Sequence, residues 1–346
     1  MRYVATLVYG AALLGCSTGG SATSAGDSGI QDTGSGADVD SSTGPFPPPD
    51  AGVDAMASCG PLPDGQAPAP VLTYQLAAAA FPDASTPSVA VHIPPGFDPS
   101  QRPSVIVFFH GWDNCVTNVI GNVDTACVDG GTPRIAMHLA DQIDAARVNA
   151  ILVAVELEVD MSTGDPGQLA VQGDFRALLH ELFTEHLDAV LGCPLDVTSL
   201  DRVVLSSHSG GYWATASVLT MGDVPSIREV DLLDSLYGEI PSFYAWAQTG
   251  ITRFNSASVD ELRWRDIYTA TGGTDVNSQA MATDMQGWLD DAGRGPSELD
   301  DRTTDTLEAG AYLHPVVFKL TDLTHDEVPQ FYVEQLARES GFAAIP

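Results

Sequence analysis

The sequence is poor in basic residues, holds few cysteines and has no apolar run long enough to cross a membrane. Its 14 Lys and Arg residues stand against 46 Asp and Glu residues, which gives a formal net charge of -32. A surface of this charge repels nucleic acid phosphates and anionic lipid headgroups. We therefore expect no nucleic acid partner and interpret the acidity as a source of solubility for an exported protein.

The amino terminus has the pattern of an export signal. Arg2 precedes an apolar stretch from Val4 to Leu14, which is far shorter than the roughly 20 residues of a membrane-spanning helix. The segment "LLGC" that ends at Cys16 resembles the lipobox of bacterial lipoproteins. That resemblance implies a signal peptide over 1–15 and a lipid on Cys16. Because Ser17 follows the cysteine, it also implies a location in the outer membrane. The alternative is an ordinary signal peptide cut elsewhere.

Cysteine is scarce, with five in the chain. Without Cys16, two disulfides can form in an oxidising compartment. We favour Cys115 with Cys127, because this pair closes a short loop, and Cys59 with Cys193 by elimination. No Cys-x-x-Cys pair occurs, and "HELFTEH" lacks the second histidine of a zinc protease helix at the required spacing, so we predict no metal.

The segment from Ser17 to about Gly60 contains Gly, Ser, Thr, Asp and Pro in abundance and no Lys or Arg. Such a composition cannot bury enough apolar surface to offset the entropy lost on ordering. We predict a flexible tether over 16–65 and a single folded domain over 66–346.

Past residue 65, short apolar runs alternate with longer amphipathic ones, which predicts an α/β protein with a mostly parallel sheet and helices on both faces. The predicted strands are Val89–Ile93, Ser104–Phe109, Ala150–Leu157, Arg202–Ser206, Val230–Leu233, Ile267–Thr271 and Val316–Leu320. The predicted helices lie near 133–147, 168–191, 210–221, 242–254, 276–292 and 326–339. Ligands of such sheets bind beyond the carboxyl ends of the strands, so site residues are expected there.

The run "VVLSSHSGGYWATASVL" places Ser209 between a strand and a helix, with small residues at Ser207 and Gly211. A sharp strand-to-helix turn needs small residues two positions either side of its apex. This pattern resembles the nucleophile elbow of the α/β-hydrolase superfamily, although Ser207 replaces the usual first glycine. The resemblance implies the α/β-hydrolase fold and Ser209 as nucleophile. In the alternative interpretation Ser209 is only a helix N-cap.

The same resemblance implies an oxyanion hole made of two backbone N–H groups. One belongs to Gly210, directly after the nucleophile. The other belongs to Trp112 in "FFHGWDNC", because His110 and Gly111 resemble the superfamily's His-Gly turn. The Trp112 side chain is expected to line the acyl or leaving-group pocket, and a packed loop aromatic is an equally good explanation.

A serine nucleophile needs a base. His325 follows the last predicted strand and precedes the final helix, where the superfamily keeps its histidine. His314 falls before that strand and is a poorer candidate. The alternative for His325 is a loop residue or a helix cap.

Two aspartates compete to orient that histidine. Asp234 directly follows an apolar strand, where a carboxylate needs a partner to offset its desolvation. Its position resembles that of the acid in platelet-activating-factor acetylhydrolases. Asp275 occupies the more usual superfamily position, but it also serves as the N-cap of a helix that starts at Val276. We prefer Asp234 because it has no such structural explanation.

These features predict a secreted, lipid-anchored serine hydrolase of the bacterial cell envelope that acts on small carboxylic esters through a Ser-His-Asp triad and an acyl-enzyme, with no metal or organic cofactor. A serine peptidase or amidase acting on peptides or cell wall is the first alternative. The second is a surface binding protein that has the fold without the activity, since fold alone does not establish catalysis.

Overall fold

The structure, a computed structural model, describes residues 71–345 apart from 102, 194, 256–259 and 306–313. The predicted signal peptide and tether, with Cys16 and Cys59, lie outside the described residues. No helix in the described part of the chain combines the length and the apolar character that a membrane crossing requires.

One mixed sheet of nine strands organises the described residues. The strands are β1 Leu72–Tyr74, β2 Val89–His92, β3 Ser104–Phe109, β4 Ala150–Val155, β5 Arg202–His208, β6 Ile227–Leu233, β7 Arg263–Thr269, β8 Leu299–Arg302 and β9 Val316–Thr321. Their spatial order is β1-β2-β4-β3-β5-β6-β7-β9-β8. The pairs β1/β2 and β2/β4 are antiparallel, and all others are parallel.

Helices cover both faces of this sheet. They are α1 Val116–Ile120, α2 Leu139–Ala146, α3 Asp174–Glu181, α4 Asp188–Leu191, α5 Tyr212–Met221, α6 Ile240–Thr249, α7 Asp275–Asp291 and α8 Val328–Glu339. Alternate residues of β3 enter different cores: Val105 and Val107 pack with α3, whereas Ile106 and Phe108 pack with α2 and α8. Because both faces of the sheet are buried, β3 and β4 are almost unbroken runs of apolar residues.

The expected α/β-hydrolase fold is confirmed by this sheet and by the strand-turn-helix connection from β5 to α5. Three elements were missed, and two predicted helices were wrong in extent. Strands β1 and β8 and the short helix α1 were not predicted. The predicted helix over 133–147 begins only at Leu139, because the backbone of Arg134 pairs with Thr125 instead. The predicted helix over 168–191 is divided by a π-helical turn at Leu182–His186.

The carboxyl ends of the central parallel strands meet at one edge of the sheet. The turn after β5 brings Ser209 to this edge, the end of β6 brings Asp234, and the loop after β9 brings His325. The loops after β3 and β4 bring Trp112 and Glu156 to the same edge. Residues far apart in the chain are therefore gathered where the parallel topology predicts a site.

Candidate active site

The turn after β5 holds Ser209 in a strained backbone conformation. Its φ is +52°, a left-handed value uncommon outside glycine. Gly211 lies so close to β3 that a Cβ there would be 2.3 Å from the carbonyl oxygen of Phe109, so this position requires glycine. A Cβ at Gly111 would be 2.5 Å from Ser209 Cβ, which shows how closely the loop after β3 approaches. The geometry is that of a nucleophile elbow.

Ser207, which departs from the usual glycine, takes part in a chain of hydroxyl groups beneath this elbow. Its side chain is fully buried, and its Oγ lies 2.9 Å from Ser235 Oγ. Ser235 Oγ donates in turn to the carbonyl oxygen of Ser209 at 2.9 Å. Since that bond uses the only hydroxyl proton of Ser235, Ser207 donates to Ser235. The serine therefore ties the elbow to the end of β6.

His325 and Asp234 are in direct contact. His325 Nδ1 lies 2.7 Å from Asp234 Oδ2. The aspartate is completely buried, whereas 31% of the histidine side chain is exposed. Because Nδ1 donates its hydrogen to the carboxylate, Nε2 is the nitrogen that can accept a proton.

Asp234 is surrounded by hydrogen-bond donors. Its Oδ1 accepts from the Thr269 N–H at 3.1 Å and from the Thr274 hydroxyl, and its Oδ2 accepts from Thr269 Oγ1 at 2.8 Å. Burial by itself raises the pKa of Asp234, but hydrogen bonds from His325 and Thr274 outweigh it, and the net pKa lies below the ordinary value. The carboxylate therefore stays charged and can stabilise an imidazolium.

Asp275 occupies a different place. It is the first residue of α7, and Thr274 holds the N-cap position, so the expectation that Asp275 caps a helix starting at Val276 was off by one residue. Within the described residues, no hydrogen bond or ion pair joins Asp275 to His325. The structure thus brings Asp234 to the histidine and leaves Asp275 on the helix.

His208 connects the elbow to His325. Its ring centroid lies 4.5 Å from that of His325, and its Nε2 is 3.1 Å from the His325 carbonyl oxygen. Burial lowers the pKa of His208 to about 3, so the ring is neutral and donates through Nε2. Within the described part of the chain, Ser209 Oγ and His325 Nε2 are not hydrogen-bonded; such bonds often form only when substrate is present.

The two predicted oxyanion donors lie on either side of Ser209. Gly210 follows it in the turn, and Gly111 brings Trp112 alongside. In the described regions, the Trp112 N–H has no hydrogen-bond acceptor. Its side chain is 51% exposed. An unpaired backbone donor beside a strained serine is the arrangement that an oxyanion hole requires.

Behind Trp112, His110 and Glu156 support the loop that follows β3. His110 Nε2 accepts from the Leu157 N–H at 2.9 Å, so its Nδ1 carries the hydrogen and donates to the Gly111 carbonyl at 2.9 Å. Burial lowers the pKa of His110 to about 4. Glu156 Oε2 accepts from the Val116 N–H at 2.8 Å, and burial raises the pKa of Glu156 to about 8. Both side chains are neutral at pH 7.

Buried amides and a disulfide complete this support. Asn118 accepts from the Cys115 N–H at 2.7 Å and donates to Asn114 Oδ1 at 2.9 Å. The predicted Cys115–Cys127 disulfide is present, with its Cα atoms 5.5 Å apart. Cys193 is also disulfide-bonded, but Cys59 lies outside the described residues, so its pairing with Cys193 stays a prediction.

One group of side chains could hold a metal ion. His208, His325 and Asp326 each offer a ligand atom, all within 4.8 Å of one another. Imidazole and carboxylate ligands suit zinc. However, Asp326 already pairs with Arg134 at 3.2 Å, and an ion on His325 Nε2 would occupy the nitrogen that a base needs. The sequence prediction of no metal stays a prediction.

A separate cleft of about 490 Å³ is lined by Arg176, Trp246 and Leu262, among others, and contains none of these site residues. It borders Asp223 and Ile227, at the amino end of β6. The carboxyl edge, where the polar groups converge, is therefore the better candidate site.

Several residues of the site were missed in the sequence. Glu156 lay inside the predicted strand Ala150–Leu157, whereas β4 ends at Val155, so Glu156 was not recognised as a carboxylate directly after a buried strand. Thr269 and Thr274 gave no signal, because hydroxyl residues in a glycine-containing loop are common. His208 also gave no signal, because its ring contacts His325, which lies 117 residues later in the chain.

No protein family model matches the chain, and no curated protein matches it. Among solved structures, 98 chains match. The feruloyl esterase module from Clostridium thermocellum, complexed with sinapinate, is 13% identical, with a TM-score of 0.45 over 82% of this chain and 94% of that one. The siderophore hydrolase EstA from Aspergillus nidulans is 10% identical, with a TM-score of 0.37 over 73% and 90%.

An α/β serine hydrolase without a lid from Xanthomonas campestris is 14% identical, with a TM-score of 0.33 over 75% of this chain and 90% of that one. These likenesses are too remote to assign a reaction. The fold class rests on the chain's own strand order and elbow, and the chemistry must be argued from the residues at the carboxyl edge.

Proposed function

We propose that this protein is a serine hydrolase that cleaves small carboxylic esters, with Ser209 as nucleophile, His325 as base and Asp234 as the orienting acid. The observation that carries the proposal is the hydrogen bond between His325 Nδ1 and the buried Asp234 carboxylate at 2.7 Å, at the sheet edge that also presents Ser209 with a φ of +52°. Backbone strain and perturbed pKa values concentrate at functional sites, and both occur at this edge of the sheet.

In the proposed reaction Ser209 Oγ attacks the ester carbonyl while His325 Nε2 takes the hydroxyl proton. The Gly210 and Trp112 N–H groups stabilise the resulting oxyanion. His325 then gives the proton to the departing alkoxide, which leaves as the alcohol. Water, deprotonated by the same imidazole, attacks the acyl-enzyme and releases the carboxylic acid and free Ser209.

A direct test compares wild-type protein with Ser209→Ala, using nitrophenyl esters and a fluorophosphonate probe. The Ser209→Ala variant should lose both turnover and labelling, with a melting temperature within a few degrees of wild type, because the side chain points into the site rather than the core. Ser242→Ala, on α6, is the matched control and should behave as wild type. Near-normal turnover in Ser209→Ala would remove Ser209 from the mechanism.

The same experiment separates the alternatives. If the protein cleaves aminoacyl anilides and does not cleave nitrophenyl esters, it is a peptidase or amidase and not an esterase. If folded wild-type protein neither reacts with the probe nor turns over any ester, the protein is a binding protein with a hydrolase fold.

We also propose that the protein is exported and held at the bacterial outer membrane by a lipid on Cys16. The support is the sequence "LLGCS" after a short apolar segment. Expression with a labelled fatty acid should give a labelled protein in the membrane fraction, and Cys16→Ser should abolish the label. A soluble wild-type protein without the label would contradict this proposal.

A further inference from the structure

One wall of the site is built from aromatic rings. Tyr212 opens α5, three residues after Ser209, and its ring centroid lies 6.1 Å from that of Tyr237. Tyr237 in turn lies 6.2 Å from the ring of His325, at an interplanar angle of 80°. The Tyr237 hydroxyl donates to the Gly272 carbonyl at 2.6 Å, which fixes the ring in place. A row of aromatic rings therefore runs from His325 through Tyr237 to Tyr212.

Trp112 is another aromatic residue of the loop that approaches Ser209. Gly111 contacts Ser209, and the next side chain in the loop, Trp112, is 51% exposed although most large apolar side chains of the described residues are buried. The loop that carries it is held by a disulfide and buried amides. A rigid, exposed tryptophan supplies contact area at little entropic cost. Aromatic residues therefore approach the site both from the loop after β3 and from the segments after β5 and β6.

Carboxylates lie beside this aromatic wall. Asp234 Oδ2 is 2.7 Å from His325 Nδ1, Asp326 places a carboxylate oxygen within 4.8 Å of a His325 ring nitrogen, and Glu239 follows Tyr237 by two residues. Together with burial, the charges of Asp234 and Asp326 raise the pKa of the Tyr237 hydroxyl. Burial and the charge of Glu239 raise the pKa of the Tyr212 hydroxyl. Arg134, which lies nearby, pairs with Asp326 at 3.2 Å. The field at the wall is therefore negative, in a chain of net charge -32, and a carboxylate or phosphate on a substrate would be repelled.

We propose that this site selects esters whose acyl group carries an aromatic ring, and that it discriminates against those with a negative charge on the far side of that ring. The inference rests on the proposed ester hydrolysis and adds its substrate class. Ring stacking on Trp112 or the Tyr212–Tyr237 wall supplies the selectivity for the ring. The carboxylates of Asp326 and Glu239 supply the selectivity against anions.

The test uses methyl 3-arylpropanoates, whose saturated linker insulates the carbonyl from the ring substituent. Three tetrahedral substituents at the far ring position have comparable shape and differ in charge: tert-butyl, trimethylammonio and sulfonate. We expect kcat/KM for the neutral and cationic esters to exceed that of the anionic ester about tenfold or more at low salt, with the gap narrowing at high salt. The neutral aryl ester should also exceed methyl butyrate about tenfold.

Variants locate the two effects. In Trp112→Ala and Tyr212→Ala the ratio of aryl to butyrate kcat/KM should fall several-fold, whereas Phe331→Ala, which removes an exposed ring from α8, should leave the ratio unchanged. In Asp326→Asn and Glu239→Gln, kcat/KM for the anionic ester should rise relative to that for the neutral ester. Asp291→Asn, at the end of α7, should leave this ratio unchanged.

Two outcomes separate this inference from the proposed function. If all esters are turned over through Ser209 without preference for a ring or against an anion, the substrate class is wrong and the hydrolase stands. If no ester is turned over and the fluorophosphonate probe does not react, the proposed function itself fails, and the inference with it.

Discussion

The two sides of Ser209 are held in place by different physical means. The oxyanion side, formed by residues 110–118 and Glu156, relies on neutral groups: a histidine with a lowered pKa, a carboxyl with a raised pKa, and a disulfide. The base side, formed by Asp234, Thr269, Thr274 and His325, is organised around a buried carboxylate that stays charged.

This difference matches what each side must do in the proposed reaction. Negative charge develops at the oxyanion, so a permanent negative charge behind Trp112 would oppose it. Positive charge develops on the imidazole, so a permanent negative charge at Asp234 stabilises it. Both sides contain a buried acid at the end of a strand, and the number of hydrogen-bond donors around each acid decides which one is ionised.

The largest effect should come from breaking the base side. In Asp234→Asn the amide cannot hold His325 in the required tautomer or stabilise its cation, so kcat should fall by about four orders of magnitude. Asp275→Asn is the matched control, because that residue lies on α7 without contact to His325. Steady-state kinetics on a nitrophenyl ester measures both, and equal losses in the two variants would mean that neither is the acid.

Opening the disulfide on the oxyanion side should mainly affect stability. The Cys115–Cys127 bond closes a loop with a sequence separation of 12, and loss of such a crosslink costs about 3 kcal/mol. Denaturation of Cys115→Ser/Cys127→Ser should show this loss, while kcat falls less than about tenfold because the Asn118 bonds remain. A drop in kcat as large as that of Asp234→Asn would contradict the proposed division between the two sides.

The buried carboxyl of Glu156 should produce a loss of activity at high pH. With a pKa raised to about 8, it becomes charged behind the oxyanion loop above that pH, and kcat should fall about tenfold per pH unit. Glu156→Gln keeps an acceptor for the Val116 N–H and cannot ionise, so its activity should stay level at high pH. Identical pH profiles for the two proteins would exclude this role.

The same group predicts how stability depends on pH. Because the folded pKa of Glu156 lies above the ordinary value of 4.5, its protonated form contributes stability that is fully present below pH 4.5 and is lost as pH rises through about 8. Relative to Glu156→Gln, wild-type protein should become progressively less stable across this interval. Urea denaturation at a series of pH values measures the difference.

The smallest effect should come from restoring the usual elbow residue. Ser207→Gly removes a hydroxyl that donates to Ser235 Oγ at 2.9 Å, which should cost about 1 kcal/mol of stability. It should change kcat by only a few-fold, because Gly211 still permits the turn. Thermal denaturation and ester kinetics measure the two quantities. A gain in stability would show that the hydroxyl chain does not support the elbow.

Much of the fold could be predicted because its signals are local. The strand Ser104–Phe109 was predicted with its observed bounds, since an apolar run between polar residues marks a buried strand without reference to the rest of the chain. Strands β1 and β8 were missed because edge strands are short and only partly buried. The elbow was predicted for the same reason as the central strands: its small residues and its strand and helix are contiguous.

The site was predictable only in part. Ser209, His325 and the two aspartates could be named from their positions after strands. The choice between Asp234 and Asp275 could not be settled, because both follow strands that end at the same edge. The threonines that surround Asp234 come from a different strand and loop, and their contact with it depends on how β6 and β7 align.

The amino-acid order by itself determined the alternation of strands and helices, the sharp turn at Ser209 and the acidic charge, because each depends on neighbouring residues or on composition. Only the tertiary structure decided which carboxylate faces His325 and which buried acid is charged. Desolvation and hydrogen bonding depend on groups that folding brings together from distant parts of the chain, and these groups separate the pKa values of Asp234 and Glu156.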